Sequence, residues 1–434
     1  MKQVMVTGSF KLKVEENPEL DQLFEEYRQM VNELLQACAE RGITSLGRLH
    51  REKYRELREK HPHLNSKYIP DAMRMALGIY NNFRKRRRRG IVKGDRPMFK
   101  KNSILLHRRL FKLDLSNWRL TVTVGKGRRI DAELYHSHYH LKFRGMRQRE
   151  AYLVKRINGY FLNVSFVKDV GLREPNGKVL AVDLNENNVT FGASEKEVYK
   201  VETGEKAIRT AYYLKRKKIW KKFRLGDYFR FGTPIPEQAK KLLEKYKKRE
   251  IRRVLALYHK IADKIIKKAK EVDASTIVME NLKHIEKKWR RQKNLKNPER
   301  KKSRELRGRL NRWSFRRLQE IIDYKAKLAR LDVVYVNPRG TSSMCSICGV
   351  KLSPNGHRVL RCPKCGYEND RDVVAVLNLV RRYAEDVGSF PQRIPLGEPF
   401  YPEGPREIRN DGGEPFVSYN GGRKCPKKKT REAV

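Results

Sequence analysis

The spacing of apolar residues divides the chain into stretches with strand and helix patterns. Residues 4–15 alternate loosely between apolar and polar positions, as the two faces of a strand do. From about residue 17 to residue 83 the apolar positions recur at helical spacing instead. One amphipathic helix is predicted to end at Gly42, and a second begins at "YIPDAM". The second helix is expected to turn one face to the core, with Met73, Ala76, Tyr80 and Phe83 on it.

Short alternating segments return between residues 97 and 168 and predict a small β-barrel or sandwich. The first strand is expected to join this β-domain, with the helices inserted between them. The stretch "HSHYH" would place His136, His138 and His140 on one face of a strand. They either bind a metal or form a polar strand face in an RNA groove, and the sequence leaves that choice open.

From Lys178 onward the predicted order is strand, strand, strand, helix, strand, helix, strand, insert, helix, which is the order of the ribonuclease H fold. Residues 283–308 are nearly all polar and predict a mobile basic loop. Beyond Tyr383 the chain is rich in Pro and Gly without periodicity, which predicts a disordered tail.

The charge of the chain points to a polyanionic partner. It has 100 Lys and Arg against 50 Asp and Glu, a formal net charge of +50. A nucleic acid is the expected partner because neutralising phosphates releases counterions; the alternative is a basic surface without a specific role. Six consecutive bases end the second predicted helix and are the candidate phosphate ligands: Arg84, Lys85, Arg86, Arg87, Arg88 and Arg89.

The sequence also indicates a compartment. No apolar run approaches the length of a membrane span, and the first twenty residues carry charges where a signal peptide is apolar. Six Cys in 434 residues are not a disulfide framework. We therefore expect a reducing compartment, the cytoplasm, and no membrane partner.

Three acids occupy the places at which a ribonuclease H fold carries its catalytic carboxylates. Asp183 lies on the first strand, Glu280 ends the fourth, and Asp372 lies at the start of the last helix. Converging carboxylates repel one another, and Mg²⁺ or Mn²⁺ relieves that repulsion because hard cations prefer oxygen ligands. Two such ions ~4 Å apart can promote phosphodiester hydrolysis. The alternative is that each acid is incidental, in a turn, a loop or a helix cap.

A neighbouring acid has a different predicted role. Asp370 is placed to cap the last helix by accepting hydrogen bonds from its free N–H groups. Asp372 would then lie in the first turn, where the helix dipole stabilises a carboxylate. Asp372 is therefore expected to be the metal ligand and Asp370 the cap.

Four cysteines form two CxxC pairs separated by thirteen residues: Cys345, Cys348, Cys362 and Cys365. This spacing predicts a closed tetrahedral site for one structural Zn²⁺, a zinc ribbon inserted before the last helix. A redox dithiol is the alternative. His357, in the intervening loop, is expected to be exposed rather than a ligand.

Several motifs together resemble the TnpB (OrfB) family of insertion-sequence transposons, which is related to the type V CRISPR effectors. They are "AVDLNENNVT", "IVMENL", "RWSFRRLQEIIDYKAKLA", "NPRGTSSMCSICG" and "RCPKCGYENDRDVVAVLNL". The similarity covers roughly residues 173–383. The family usually reads D-R-D-x-N-A-A-x-N after the second CxxC pair. Here Val374 replaces the first Asn and Val376 an Ala, whereas Asn378 and the three acids are present.

The resemblance implies an RNA-guided DNA endonuclease with a RuvC-like active site. The implied partners are a guide RNA from the transposon end, target double-stranded DNA, and the transposase of the same element. It also implies an α+β and α/β multidomain architecture. The expected parts are a β-barrel wedge domain (1–172) with a helical recognition insert at about 17–90, a RuvC-like domain (173–384), a zinc-ribbon insert (341–369) and a disordered tail (385–434).

Two other functions stay open from the sequence. The first is a non-catalytic nucleic-acid-binding regulator of transposition. The second is a guide-independent, structure-selective nuclease of the resolvase type, which would cut branched DNA without RNA.

Overall fold

The computed structural model describes residues 2–92, 94–125, 127–231, 234–282, 308 and 312–386. The chain divides between Leu172 and Arg173 into two compact units, here called unit 1 and unit 2. No helix in the described residues is both long and apolar enough to cross a membrane. Residues 283–307 of the predicted mobile loop, and the predicted tail from residue 387 onward, lie outside the described residues.

Unit 1 combines a seven-stranded sheet with helices inserted after its first strand. The strands are β1 (Lys2–Leu12), β2 (Ser103–Leu106), β3 (Phe111–Asp114), β4 (Arg119–Thr123), β5 (Arg129–Tyr135), β6 (Arg147–Arg156) and β7 (Gly159–Val170). The helices are α1 (Pro18–Arg41), α2 (Leu46–Lys60), α3 (Tyr68–Arg88) and α4 (His138–Leu141). The antiparallel order β2-β6-β7-β1-β5-β4-β3 places β1 at the centre, so the first strand joins the later ones as expected. Closure into a barrel stays a prediction.

The long helices of unit 1 follow from local sequence signals. Asn17 caps α1, because its side chain accepts a hydrogen bond from the Leu20 N–H at 2.9 Å. Gly42 ends α1 in the left-handed region, at φ 64°. All four α3 residues predicted to face the core are buried, and they share one apolar core with α1 and the sheet. The buried thiol of Cys38 belongs to that core.

The "HSHYH" stretch is not a strand, so that prediction was wrong. It concerned His136, His138 and His140. β5 ends before the stretch and α4 begins within it, because His140 folds back on Ser137: the Ser137 N–H donates to His140 Nδ1 at 3.0 Å. His140 Nε2 donates to the Ser9 carbonyl, and the His136 ring stacks on Trp118 with centroids 4.4 Å apart. Among the described residues these three rings form no group of metal ligands.

Unit 2 is built on a mixed five-stranded sheet. Its strands are β8 (Val179–Leu184), β9 (Asn188–Gly192), β10 (Val198–Glu202), β11 (Thr276–Glu280) and β12 (Asp332–Val336). Its helices are α5 (Glu205–Lys222), α6 (Leu225–Phe231), α7 (Glu237–Glu271), α8 (Phe315–Leu328) and α9 (Arg371–Asp386). The order is β10-β9-β8-β11-β12, with β8, β11 and β12 parallel and β8, β9 and β10 antiparallel. The predicted element order is found, with three helices between β10 and β11 where one was expected.

Both faces of β8 are buried, which explains its unbroken apolar run. Leu180 and Val182 pack in a core with α7 and α8, whereas Val179 and Ala181 pack against α9. Because β8 and β11 are parallel, their carboxyl ends meet at one edge of the sheet.

A small third sheet lies between β12 and α9 in the chain. It consists of β13 (Ser353–Pro354), β14 (Val359–Arg361) and β15 (Glu368–Asp370), all antiparallel. This sheet and the two CxxC turns form the segment called here the cysteine module, residues 341–370. Its last strand leads directly into α9.

A substitution at Gly192 would test how closely β9 packs against β10. A Cβ at this position would collide with the backbone carbonyl oxygen of Glu197, which cannot move without displacing β10. We expect Gly192→Ala to lower the free energy of unfolding by ~1–3 kcal/mol, measured by denaturant titration. The control is Gly226→Ala on α6, where the added methyl group meets open space. Equal stabilities of the two variants would contradict this account.

Candidate functional site

The three predicted acids of unit 2 line one cavity of about 180 Å³. Asp183 lies near the carboxyl end of β8, Glu280 is the last residue of β11, and Asp372 is the second residue of α9. The side chains of Asp183 and Asp372 are almost fully buried. The other lining residues are Leu184, Asn185, Leu282, Trp313, Phe315, Ser342 and Arg371. The fold therefore brings together three residues that are far apart in the chain.

One amide links two of the carboxylates. The Asn185 Nδ2 donates to Asp183 Oδ2 at 2.7 Å and to Asp372 Oδ1 at 3.3 Å. Both oxygens therefore face a single nitrogen. Asn185 was not predicted as a site residue, although its position in the turn directly after β8 could have indicated it.

The electrostatics of the cavity are dominated by burial of like charges. The pKa of Asp183 is raised to about 7, mainly by burial and then by the charges of Glu280 and Asp372, whereas Asn185 and Arg371 oppose that shift. Burial also raises the pKa of Glu280, while a hydrogen bond from Thr341 opposes that shift. Asp183 and Glu280 are therefore destabilised as anions in the absence of a bound cation.

Asp372 is held from its other side by two cations. Its Oδ2 lies 2.8 Å from Lys200 Nζ, on β10, and forms an ion pair with the guanidinium of Arg358. Arg358 belongs to the cysteine module, where it adopts a left-handed backbone with φ 69°. Sequence reasoning missed both partners, because neither belongs to a recognisable motif and each pairs with an acid on a different element.

Glu280 is positioned through α9. The Thr341 Oγ1 donates to Glu280 Oε1 at 2.5 Å. The Asn378 Nδ2 on α9 donates to the carbonyls of Thr341 and Met344 at 2.8 and 2.7 Å. The helix that carries Asp372 therefore also fixes the loop that orients Glu280.

The prediction that Asp370 caps the last helix is confirmed. α9 begins at Arg371, and the Asp372 N–H donates to Asp370 Oδ1 at 2.7 Å. Asp370 therefore satisfies a free N–H of the first turn. The carboxylate of Asp372 stays directed into the cavity.

The acid cluster has the donor chemistry of a site for hard cations. Burial and mutual repulsion raise the pKa of Asp183, and carboxylate oxygens of this kind are the ligands that Mg²⁺ and Mn²⁺ prefer. In the described part of the chain, however, the three acids do not offer one oxygen each within 4.8 Å of one another. A single ion held by all three in this arrangement is therefore excluded.

The four cysteines of the cysteine module converge as predicted. Their Sγ atoms all lie within 4.8 Å of one another. Individual Sγ–Sγ distances of 3.4, 3.6 and 3.7 Å are close to the ~3.8 Å edges of a tetrahedron with ~2.3 Å zinc–sulfur bonds. Backbone N–H groups of Cys365 and Lys364 lower the pKa of Cys362 to about 6, which favours the thiolate. The donor set fits Zn²⁺, and His357 is exposed, as expected.

Val374 joins the cysteine module to α9. It is fully buried in one apolar cluster with Cys345, Cys362 and Leu352. An apolar side chain here packs against the cysteines instead of adding a polar group near Asp372. The departure from the family motif therefore has a packing role.

The basic run of unit 1 lies at the end of α3. Lys85 to Arg89 are exposed, whereas Arg84 is half-buried, 5.9 Å from the centre of the Tyr80 ring. The Arg87 Nη2 lies 3.3 Å from Oδ1 of the exposed Asp95. Binding of phosphates by Arg84, Lys85, Arg86, Arg87, Arg88 and Arg89 stays a prediction.

Residues 315–379 match the family described as Cas12f1-like, TNB domain, and residues 23–123 match the family described as uncharacterized protein MJ0013. The chain is 40% identical over 218 residues to the TnpB-like protein MJ0751 of Methanocaldococcus jannaschii. The matched region covers 49% of this chain and 71% of that protein. It is 39% identical over 72 residues to the CRISPR-associated endodeoxyribonuclease Cas12f1 of Sulfoacidibacillus thermotolerans, 16% and 17% of the two chains.

A solved structure shares the fold. The cryo-EM structure of a Cas12f1–sgRNA–target DNA complex matches with a TM-score of 0.53 at 15% identity, over 83% of this chain and 81% of that one. This similarity supports the mixed α/β fold class of the chain.

Removing the Asp183 charge should stabilise the protein when Mg²⁺ and Mn²⁺ are absent. A carboxyl group with a raised folded-state pKa destabilises the fold above that pKa, and the penalty fades as pH falls toward the unfolded value. With ~1.4 kcal/mol per pKa unit, Asp183→Asn should gain roughly 2–4 kcal/mol at pH 8 and less at pH 5. Thermal unfolding at both pH values measures this, with the exposed Asp227→Asn as control. A gain independent of pH would contradict it.

The cysteine module should depend on zinc. Cys362→Ser removes one ligand of a closed site, so bound zinc should fall by about one ion per chain and unit 2 should unfold at lower temperature. Elemental analysis and thermal unfolding measure the two effects. The buried but non-ligating Cys38→Ser is the control for zinc content. Unchanged zinc in Cys362→Ser would refute the site.

Proposed function

The chain belongs to the TnpB-like family, and we propose that it is an RNA-guided, divalent-metal-dependent DNA endonuclease with a RuvC-like active site. The observation that carries the proposal is the convergence of Asp183, Glu280 and Asp372 in one cavity of a strongly basic chain. A nuclease role is supported by the relative that is an endodeoxyribonuclease. The structural relative is a complex with guide RNA and target DNA, the two partners that we propose here.

The three acids would hold Mg²⁺ or Mn²⁺. Two ions that share these carboxylates do not require all three to meet at one point. When bound, such ions activate a water and stabilise the leaving oxygen of a phosphodiester.

The chain's own residues orient the acids for that role. Asn185 donates to one oxygen each of Asp183 and Asp372, so these two oxygens face the same space. Lys200 and Arg358 hold the other oxygen of Asp372. These contacts fix the carboxylates before any cation binds, and less reorganisation is then needed on binding.

Positive charge near the acids would bind the substrate. Arg371 lines the cavity beside Asp183 and Asp372 and can pair with a DNA phosphate there. Trp313, also in the lining, offers an apolar face to a sugar or base. The bases at the end of α3 would contact the guide RNA or the target DNA.

The two units would divide the work of recognition and cleavage. Unit 1 would serve as the wedge with its helical recognition insert, and unit 2 as the nuclease with its zinc ribbon. The guide RNA would come from the transposon end and the target would be double-stranded DNA, with the transposase of the same element as a further partner.

Loss of one acid should separate cleavage from binding. Asp183→Ala and Glu280→Gln should each reduce Mg²⁺-dependent cleavage of guide-matched DNA by ~1000-fold or more, because a metal ion supplies several kcal/mol of transition-state stabilisation. Binding of the copurifying RNA should be unchanged. Asp227→Ala, on the exposed surface of α6, is the matched control.

Each of the other possible outcomes would indicate a different conclusion about the function. Cleavage undiminished in both acid variants would reject the assigned site. Guide-dependent DNA binding without cleavage by the unaltered protein would indicate a regulator of transposition. Cleavage of branched DNA without RNA would indicate a structure-selective nuclease.

A further inference from the structure

We propose a second metal site, in unit 1, formed by Glu26, His61 and His63 and suited to Zn²⁺ or a similar first-row divalent ion. It is distinct from the cysteine module and from the acid cavity, both of which lie in unit 2. Two imidazoles and one carboxylate are a ligand set that zinc binds, with water in the fourth position.

The three ligand atoms already lie close together. The Glu26 Oε2 is 2.7 Å from His63 Nε2 and 3.4 Å from His61 Nδ1, and all three atoms lie within 4.8 Å of one another. Ligands ~2.05 Å from a tetrahedral ion are ~3.3 Å apart, so only small movements would admit one. The His63 side chain is 40% exposed, which leaves an open side for water.

Glu26 presents a single oxygen to the two rings. Its Oε1 accepts a hydrogen bond from the Gln22 Nε2, one turn earlier on α1, at 2.8 Å. The carboxylate is thereby held with Oε2 directed toward His61 and His63. The His61 side chain is only 14% exposed, so one of the two rings is largely shielded from solvent.

The turn that carries both histidines is rigidly built. The Arg58 guanidinium donates to three of its carbonyls, those of His61, Pro62 and Leu64, at 2.8–3.1 Å. These bonds fix the backbone from which both imidazoles project, without help from a metal. This preorganisation lowers the entropy that metal binding would cost.

The sheet supports the same turn from behind. Leu64 forms an isolated β-bridge with Gly125, and the Asn65 N–H donates to the Val124 carbonyl at 3.3 Å. A Cβ at residue 125 would collide with the His63 carbonyl, so the close approach requires glycine there. The site therefore lies between α1 and a turn anchored to the sheet.

A hydrogen bond alone explains the positions of Glu26, His61 and His63 less completely than a bound metal ion does. It explains His63, whose Nε2 lies at hydrogen-bond distance from Glu26 Oε2. It does not explain why the shielded Nδ1 of His61 is directed at the same oxygen from 3.4 Å, at the outer limit of a hydrogen bond. An ion between the three atoms uses both rings and would tie α1 to the connection between α2 and α3.

The experiment counts zinc bound by the full-length protein. The protein is dialysed against micromolar free Zn²⁺ with excess Mg²⁺, added to compete with Zn²⁺ for the acid cavity, and zinc is measured per chain. We expect two ions for the unaltered protein, one for His63→Gln and one for Glu26→Gln. His50→Gln is the matched control, because His50 lies on α2 with its ring stacked on Tyr54, and it should keep both.

Thermal unfolding gives a second readout. Zinc added to protein with a filled cysteine site should raise the unfolding temperature of the unaltered protein and of His50→Gln. It should not raise that of His63→Gln or Glu26→Gln. One zinc in the unaltered protein, or equal zinc in the unaltered protein and both site variants, would overturn the proposal. Since Gln can still hydrogen-bond, unaltered behaviour of Glu26→Gln in both assays would assign the cluster to hydrogen bonding alone.

Discussion

Repulsion between buried carboxylates is the constraint around which unit 2 is arranged. The fold places Asp183, Glu280 and Asp372 in one cavity, and the raised pKa of Asp183 reports the electrostatic cost. Parallel pairing of β8 and β11 brings Asp183 and Glu280 together, because the carboxyl ends of both strands meet at one edge, and α9 adds Asp372. The side chains around the cavity either neutralise the negative charge of these carboxylates or fix their orientation.

The compensating groups come from several separate elements. Lys200 lies on β10, Arg358 in the cysteine module, and Thr341 at the start of that module. Asn378 on α9 holds the Thr341 carbonyl, and Val374 on the same helix packs against the cysteines. The cysteine module therefore supports the acid cavity mechanically and electrostatically, although its own four sulfur ligands take no part in that cavity.

The sequence was informative where a local signal sufficed. The end of the first helix at Gly42 and the core face of the second helix each depend on neighbouring residues, and the structure agrees with both. The prediction for "HSHYH" was wrong because His at every second position suits one face of a strand, whereas the Ser137–His140 capping contact starts α4 there instead. Arg358 could not be predicted, because its partner lies on another element and its backbone conformation has no simple sequence signature.

The order of the acids along the chain has a consequence for biosynthesis. Asp183 and Glu280 emerge from the ribosome on strands that can pair with each other early, whereas Asp372 arrives on α9, after the cysteine module. A nascent chain that lacks this helix has an incomplete cavity and no third carboxylate. The proposed nuclease activity therefore requires the cysteine module and α9 to have folded onto the two strands.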